Sequence, residues 1–358
     1  MPPVFPGADV EDPGSRARGD ATGRPRILVI RRDNIGDLVC TTPLLRALRA
    51  QLPGSFVVAL LNRYNEPVLA RHPDLDALVS YQKAKHREPG ETVAGLYWQR
   101  LRTVIALRRQ RFDWLLLPGG AQASVLRTAR LVAPRRLLIR GDEDAVAGTH
   151  EVEQVCHLLP RMGLDFATPA PMVACDPQVR ETLKADIAGR LGFVPRTLIG
   201  VHLSARKPSQ RWSADRFAAL IRQLHAPAGT AFVLLWAPGA ESNRLHPGDD
   251  GKAAQVIERL RDAPIVPVAT HRLEHLIAAL ALCDRIVCAD GGAMHLAAAL
   301  GKPIVCLFGD SDPNRWRPWG VPHELLQPAS RDVADIMVED VVQAHRRLCA
   351  RLPANPVK

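Results

Sequence analysis

None of the seven cysteines pairs with another at CxxC spacing. No disulfide frame or zinc pattern follows, and thiols scattered through apolar runs read as small buried hydrophobes in a reducing cytoplasm. Neither GxGxxG nor GxxxxGKS/T occurs, so the dinucleotide fingerprint and the P-loop are both excluded. No run is apolar over the roughly 18 residues a membrane-spanning helix needs. The first residues lack an apolar h-region, and the expectation is a chain neither secreted nor spanning. Aromatics are sparse at 5%. With no basic strand interleaved by aromatics, no helix-turn-helix and no zinc finger, nucleic acid is not expected as a partner. The acidic pairs Asp249-Asp250 and Asp310/Asp312 lack co-ligands, so no metal is expected either.

What is present is basic and apolar. Lys plus Arg number 47 against 37 Asp plus Glu, a net charge of +10, which suits an anionic partner such as a nucleotide, a phosphorylated glycolipid or an acidic membrane face. At 358 residues and 47% hydrophobic, the chain is long enough for two domains. Residues 1–24, rich in Pro, Gly, Asp and Arg, read as a disordered leader. Alternating strand and helix patterns fill 25–165 and 178–330, with a Pro-scattered linker between them and a C-terminal helix and tail over 331–358. The charged stretch 82–91 reads as a mobile loop.

The stretch 288–320 organises the second half. The apolar run 285–288 predicts a short buried strand. Asp290, Gly291 and Gly292 follow, then an Ala-rich helix over 293–300 and another strand over 304–308. Two residues without Cβ let backbone N–H groups approach a phosphate, and the helix N-terminus adds partial positive charge. Gly-Gly turns also precede Ala-rich helices that bind nothing. The company of Asp290, His295 one turn into the helix and the polar loop 309–314 sets this one apart. His295 has two readings, one facing the phosphate site and one supporting it from behind.

Other strand ends carry chemistry too. After the strand 198–203, Ser204, Arg206, Lys207, Ser209 and Arg211 supply three cations and two hydroxyls before the helix 214–224. Charge-assisted donors plus helix-end amides are what a metal-free diphosphate site requires; the alternative is a solvated basic loop. Glu241, in the loop after the strand 232–236, is either an acceptor for ribose hydroxyls or a solvated acid. At the other end, the strand 25–31 runs into Gly36-Asp37 and a helix expected over 38–51. Read alone, Asp37 is an N-cap.

The run 290–303, DGGAMHLAAALGKP, with Leu307-Phe308-Gly309, resembles the donor-site signature of the bacterial heptosyltransferase-type glycosyltransferases, glycosyltransferase family 9. The stretch 30–45, IRRDNIGDLVCTTPLL, resembles that family's N-terminal signature. The resemblance implies an α/β GT-B fold: two Rossmann-like domains with parallel sheets facing across a cleft, the nucleotide sugar held mainly by the C-terminal one. It implies that Asp37 is the catalytic base. With the residue reading above, the donor-binding set is Ser204, Lys207, Gln210, Arg211, Glu241, Asp290, Gly291, Gly292 and His295. The lysine usual two residues before the tryptophan is Gln210 here, so the phosphate role falls to Lys207 or Arg211.

The resemblance further implies inverting, metal-independent transfer of a heptose or related sugar. The donor that the resemblance implies is an ADP-sugar, ADP-heptose, and no other cofactor is expected. The acceptor is an anionic glycolipid of the lipopolysaccharide core. The enzyme works peripherally at the cytoplasmic face of the inner membrane. Two rivals stay open: another GT-B enzyme using a UDP-sugar, and a non-catalytic nucleotide-sugar binder.

Overall fold

The computed structural model describes residues 23–81, 92–141, 148–225, 229–243 and 247–353. The expected leader, apart from its last two residues, and the charged loop 82–91 lie outside them. The chain forms two compact units, Met1–Pro169 and Ala170–Lys358.

Unit 1 is built on five parallel strands: β1 (Arg26–Ile30), β2 (Phe56–Asn62), β3 (Ala77–Tyr81), β4 (Trp114–Leu117) and β5 (Arg136–Ile139), in the order β3-β2-β1-β4-β5. Unit 2 has six: β6 (Thr197–His202), β7 (Thr230–Trp236), β8 (Ile265–Ala269), β9 (Arg285–Ala289), β10 (Ile304–Leu307) and β11 (His323–Leu326), in the order β11-β10-β9-β6-β7-β8. These are the two Rossmann-like, parallel-sheet units expected of the GT-B class. The central strands are buried on both faces by helices, which is why their sequences are continuous apolar runs. β1 buries Ile27, Leu28, Val29 and Ile30, and β7 is buried from Thr230 to Leu235. Each fully buried Leu, Ile or Val contributes about 1.5–3 kcal/mol.

Numbered from its own first strand, each sheet starts 3-2-1-4-5, and unit 2 adds a sixth strand. The winding reverses between the first and fourth strands, and a crevice opens there at the carboxyl ends. In unit 1 the reversal lies between β1 and β4, in unit 2 between β6 and β9.

Several element boundaries differ from the sequence reading. The single helix expected over 38–51 is two, Ile35–Val39 and Thr42–Gln51. Pro43 has no N–H to give a preceding turn and its ring clashes with a carbonyl there, so the helix stops and restarts. The helix expected over 150–162 ends at Cys156, followed by a 3-10 turn at Pro160–Met162. The last helix is Val338–Arg351, preceded by a 3-10 turn at Val333–Asp335. It is no separate appendage. Val341, Val342, Ala344 and Leu348 sit in the core of unit 2 with Phe217, Leu220 and Ile221. Among the described residues, no helix is long and apolar enough to cross a membrane.

Candidate functional site

The switch point of unit 1 is organised by a residue the sequence reading passed over. Arg31, the first residue past β1, is buried. Its Nη1 donates to the carbonyl of Pro118 at 2.8 Å, at the end of β4. Its Nη2 donates to Asp37 Oδ1 at 2.8 Å and to Glu151 Oε1 at 3.0 Å, and its Nε lies 3.0 Å from Asp33 Oδ2. Glu151, fully buried, is also met by Arg140 Nη1 at 2.6 Å. Two guanidiniums, those of Arg31 and Arg140, thus bind the three carboxylates of Asp33, Asp37 and Glu151 at this strand edge.

Asp37 is not the N-cap. Asn34 holds that place, and Asp37, at the third helical position, reaches back so that Oδ2 accepts from Asn34 N at 3.3 Å and Nδ2 at 3.0 Å. Burial pushes the Asp37 carboxyl up, but the Arg31 guanidinium and the Asn34 hydrogen bonds outweigh it and hold the group below the usual carboxylate range. It stays ionised at neutral pH, in a fixed orientation, with its side chain 16% exposed. Gly119 belongs to this arrangement: a Cβ there would stand 2.6 Å from Asp33 Oδ2.

The switch point of unit 2 gathers three loops. Gly309, after β10, packs so closely on the loop after β6 that a Cβ would fall 2.3 Å from the Ser209 carbonyl oxygen. Gln210 is buried there, and its Nε2 donates to Asp290 Oδ2 at 2.8 Å and to Ser311 Oγ at 3.0 Å. Asp290 Oδ1 takes no hydrogen bond from the described residues. Gly291 has φ 156° and ψ −169°, a conformation essentially open only to glycine, and caps the helix Gly292–Ala299. A Cβ at Gly291 would meet nothing within 4 Å, so the backbone here borders open space. His295 is buried and lies edge-on to Trp316, ring centroids 6.0 Å apart. That contact fits the supporting reading.

The cations line up beside this core. Lys207 Nζ pairs with Asp310 Oδ1 at 3.1 Å, and both side chains are largely exposed. Arg211 donates from Nη1 to the Ala205 carbonyl at 2.8 Å and from Nη2 to Glu241 Oε1 at 2.8 Å and Asp249 Oδ1 at 2.6 Å. Lys252 Nζ joins Asp249 Oδ1 at 2.8 Å. Ser204 Oγ accepts from Ala237 N at 2.9 Å, tying the loop after β6 to the loop after β7. An open depression of about 400 Å³ lies against Arg211, Arg216, Glu241 and Lys252. His202, the last residue of β6, is driven by burial down to about 4 and stays neutral.

The structure therefore brings Lys207, Gln210, Asp290 and, through Gly309, the loop after β10 into one cluster. Arg211, Glu241 and Ser204 form a neighbouring one around Asp249. Arg31, Glu151, Arg140, Asp249, Lys252 and Ser311 were not anticipated. One signal existed for Arg31, the first charged residue after an apolar strand. Nothing in the sequence pointed to Glu151, 120 residues away from it. Asp310 and Asp312 shape their loop: Asp310 takes Lys207, and Asp312 caps the helix Pro313–Trp316.

Comparisons with known proteins agree with this architecture. The chain is 28% identical over 307 residues to lipopolysaccharide heptosyltransferase 2 of Salmonella typhimurium, covering 81% of this chain and 84% of that one. It resembles the crystal structure of a glycosyl transferase family 9 protein from Veillonella parvula, with a TM-score of 0.78, 19% identity and coverage of 92% and 98%. It also resembles an Escherichia coli heptosyltransferase solved with ADP, with a TM-score of 0.71, 16% identity and coverage of 90% and 99%. The family model for glycosyltransferase family 9 (heptosyltransferase) matches residues 105–335, well over half of the chain. The chain belongs to glycosyltransferase family 9.

Proposed function

We propose that the chain moves a heptose from an ADP-linked donor to an anionic lipopolysaccharide-core acceptor, with inversion and without a metal ion. The acceptor hydroxyl loses its proton to Asp37 as its oxygen bonds to the anomeric carbon. The bond from that carbon to the diphosphate oxygen breaks, and ADP departs with the electron pair. A single displacement inverts the centre.

One observation carries this reading. Asp37 is an ionised carboxylate fixed on both oxygens by Arg31 and Asn34, at the carboxyl edge of a switch point. Its low proton affinity makes it a base that works by position and orientation more than by strength. Unit 2 supplies the complementary part. Charge growing on the diphosphate would meet Lys207, Arg211 and the amides after Gly291, donors aimed where charge develops. Lys207–Asp310 and Arg211–Glu241 are ion pairs with solvent-exposed carboxylates, weakly held in water, so a diphosphate can take the carboxylates' place. Asp290 Oδ1 is available to a sugar hydroxyl. Among the described residues, no group of three or more His, Cys, Asp or Glu is arranged to hold a metal.

The ADP assignment is supported by the solved Escherichia coli relative with ADP, and the acceptor class by the lipopolysaccharide heptosyltransferase of Salmonella typhimurium. Such an acceptor sits in a bilayer, and the enzyme would meet it at the cytoplasmic face of the inner membrane as a peripheral protein. The test is incubation with ADP-heptose and a panel of truncated lipopolysaccharides, with mass spectrometry of the products. The expected result is one added heptose on one acceptor. Transfer from a UDP-sugar alone, or binding of ADP-heptose with no transfer to any acceptor, would overturn the proposal.

A further inference from the structure

We propose that the outward face of the helix Val93–Arg109 in unit 1, with the end of the neighbouring helix Ala123–Val132, is the surface by which the chain lies on a bilayer bearing anionic lipid headgroups. This deepens the functional reading above, which needs an acceptor presented at a membrane but names no surface for meeting it.

The helix Val93–Arg109 buries Leu96, Thr103 and Leu107 against unit 1. Its opposite face leaves Tyr97 63%, Trp98 61%, Leu101 47% and Ile105 41% exposed. Positions 97, 101, 105 and 108 share one stripe at helical spacing, so these residues are contiguous. Leu131, 55% exposed, extends the patch, and Arg108 Nη1 joins the two helices by donating to the Leu131 carbonyl at 3.1 Å. Large apolar side chains gathered on one rim of a protein mark a contact site.

The charge around them identifies the partner. Residues 92–141 contain ten arginines and no lysine, with Asp113 their single acid. Arg102, Arg108 and Arg109 are exposed on the same helix as the apolar stripe. A helix with Trp, Tyr, Leu and Ile on its outer face, flanked by arginines, lies in the interface of an anionic bilayer, apolar groups toward the acyl chains and guanidiniums at the phosphates. A second copy of the chain fits poorly. A two-fold contact sets a patch against itself, and arginines would then face arginines. A nucleic acid would use the cations and the two aromatics but gains nothing from Leu101, Ile105 and Leu131.

The experiment is flotation of the full chain with vesicles of phosphatidylcholine, with or without phosphatidylglycerol, in the absence of donor and sugar acceptor. The expected result is binding to the phosphatidylglycerol vesicles only, reversed by high salt. Arg102→Gln with Arg109→Gln should weaken it on the order of 25-fold, at about fivefold per arginine. Trp98→Ser with Leu101→Ser should weaken it about tenfold or more. All four positions are exposed, so the thermal unfolding of both double variants should match the parent. Absence of binding by the parent, or equal binding to both vesicles, overturns the proposal. So does a lipid-free dimer, by light scattering, that the serine substitutions dissolve, or displacement from vesicles by a single-stranded oligonucleotide bound more tightly. Binding is read without sugar transfer, so a chain that floats but transfers nothing refutes the activity and keeps the surface. A chain that transfers heptose but does not float does the reverse.

Discussion

Two crevices of the same winding carry opposite chemistry in this protein. At the β1–β4 reversal a buried cation holds carboxylates: Arg31 binds Asp33, Asp37 and Glu151, and only Asp37 and Asp33 keep some contact with solvent. At the β6–β9 reversal an amide meets a buried carboxylate, Gln210 on Asp290, and the cations beside it reach exposed acids, Lys207 to Asp310 and Arg211 to Glu241, while Arg211 is also anchored on the buried Asp249. A buried ion pair is expensive to break, so the first arrangement fixes one acid in place. An exposed pair is cheap to exchange, so the second suits an incoming anion. The doubly wound order supplies the crevice in both cases; the side chains at the strand ends decide what it does.

The largest effect should come from removing the hub of the first crevice. Arg31→Met takes from Asp33, Asp37 and the buried Glu151 the one guanidinium that binds all three. It should destabilise unit 1 by about 3–5 kcal/mol in denaturant titrations, with unit 2 unaffected in hydrogen exchange. Equal loss in both units would break the proposed division of roles.

Acid should separate the units next. Burial drives His72 in unit 1, and His202 and His345 in unit 2, down to about 4. Each is neutral when folded, whereas the unfolded chain takes up a proton near 6.5. Stability from each is therefore complete above that value and is lost as pH falls from about 6.5 toward 4. By pH 5 the loss is on the order of 2 kcal/mol per histidine, so unit 2, with two, should weaken more than unit 1. Asp37 adds to acid loss only at lower pH, because its folded value is held below the unfolded one. Hydrogen exchange of each unit at pH 7 and pH 5 measures this.

Gly309→Ala should act on unit 2 alone. Its Cβ meets backbone, the Ser209 carbonyl oxygen at 2.3 Å and carbon at 2.7 Å, and must push away the loop that carries Gln210. The expected cost is about 1–3 kcal/mol, with weaker ADP binding by calorimetry. The smallest change in stability should follow Lys207→Ala. Its pair with the solvent-exposed Asp310 adds little stability in water, yet ADP affinity should fall about tenfold, the scale of one charge-assisted hydrogen bond. A variant that melted early but bound ADP normally would place Lys207 in the scaffold instead.

The central strands were legible in the sequence because a parallel sheet covered on both faces needs unbroken apolar runs, and β1, β2, β9 and β10 have them. The missed strands, β8 and β11, are the two edges of their sheet. β8 contains Pro267, tolerable where no neighbour needs its N–H, and β11, HELL, is only half-buried. Asp37 and the Gly291-Gly292 turn could be located from strand-to-helix spacing. Arg31 could not be recognised as a hub, because beyond the nearby Asp33 its partners lie 6, 87 and 120 residues away and only the folded sheet brings them together. The break before Pro43 was legible in principle, and it matters, since it leaves Asp37 on its own five-residue helix.

The most direct test of the account is Asp37→Asn assayed twice, once for heptose transfer and once for ADP-heptose binding by calorimetry. The account predicts that kcat falls by about 10²–10⁴ while donor affinity stays that of the parent. Transfer at the parent rate, or a loss of donor binding as large as the loss of rate, would contradict it.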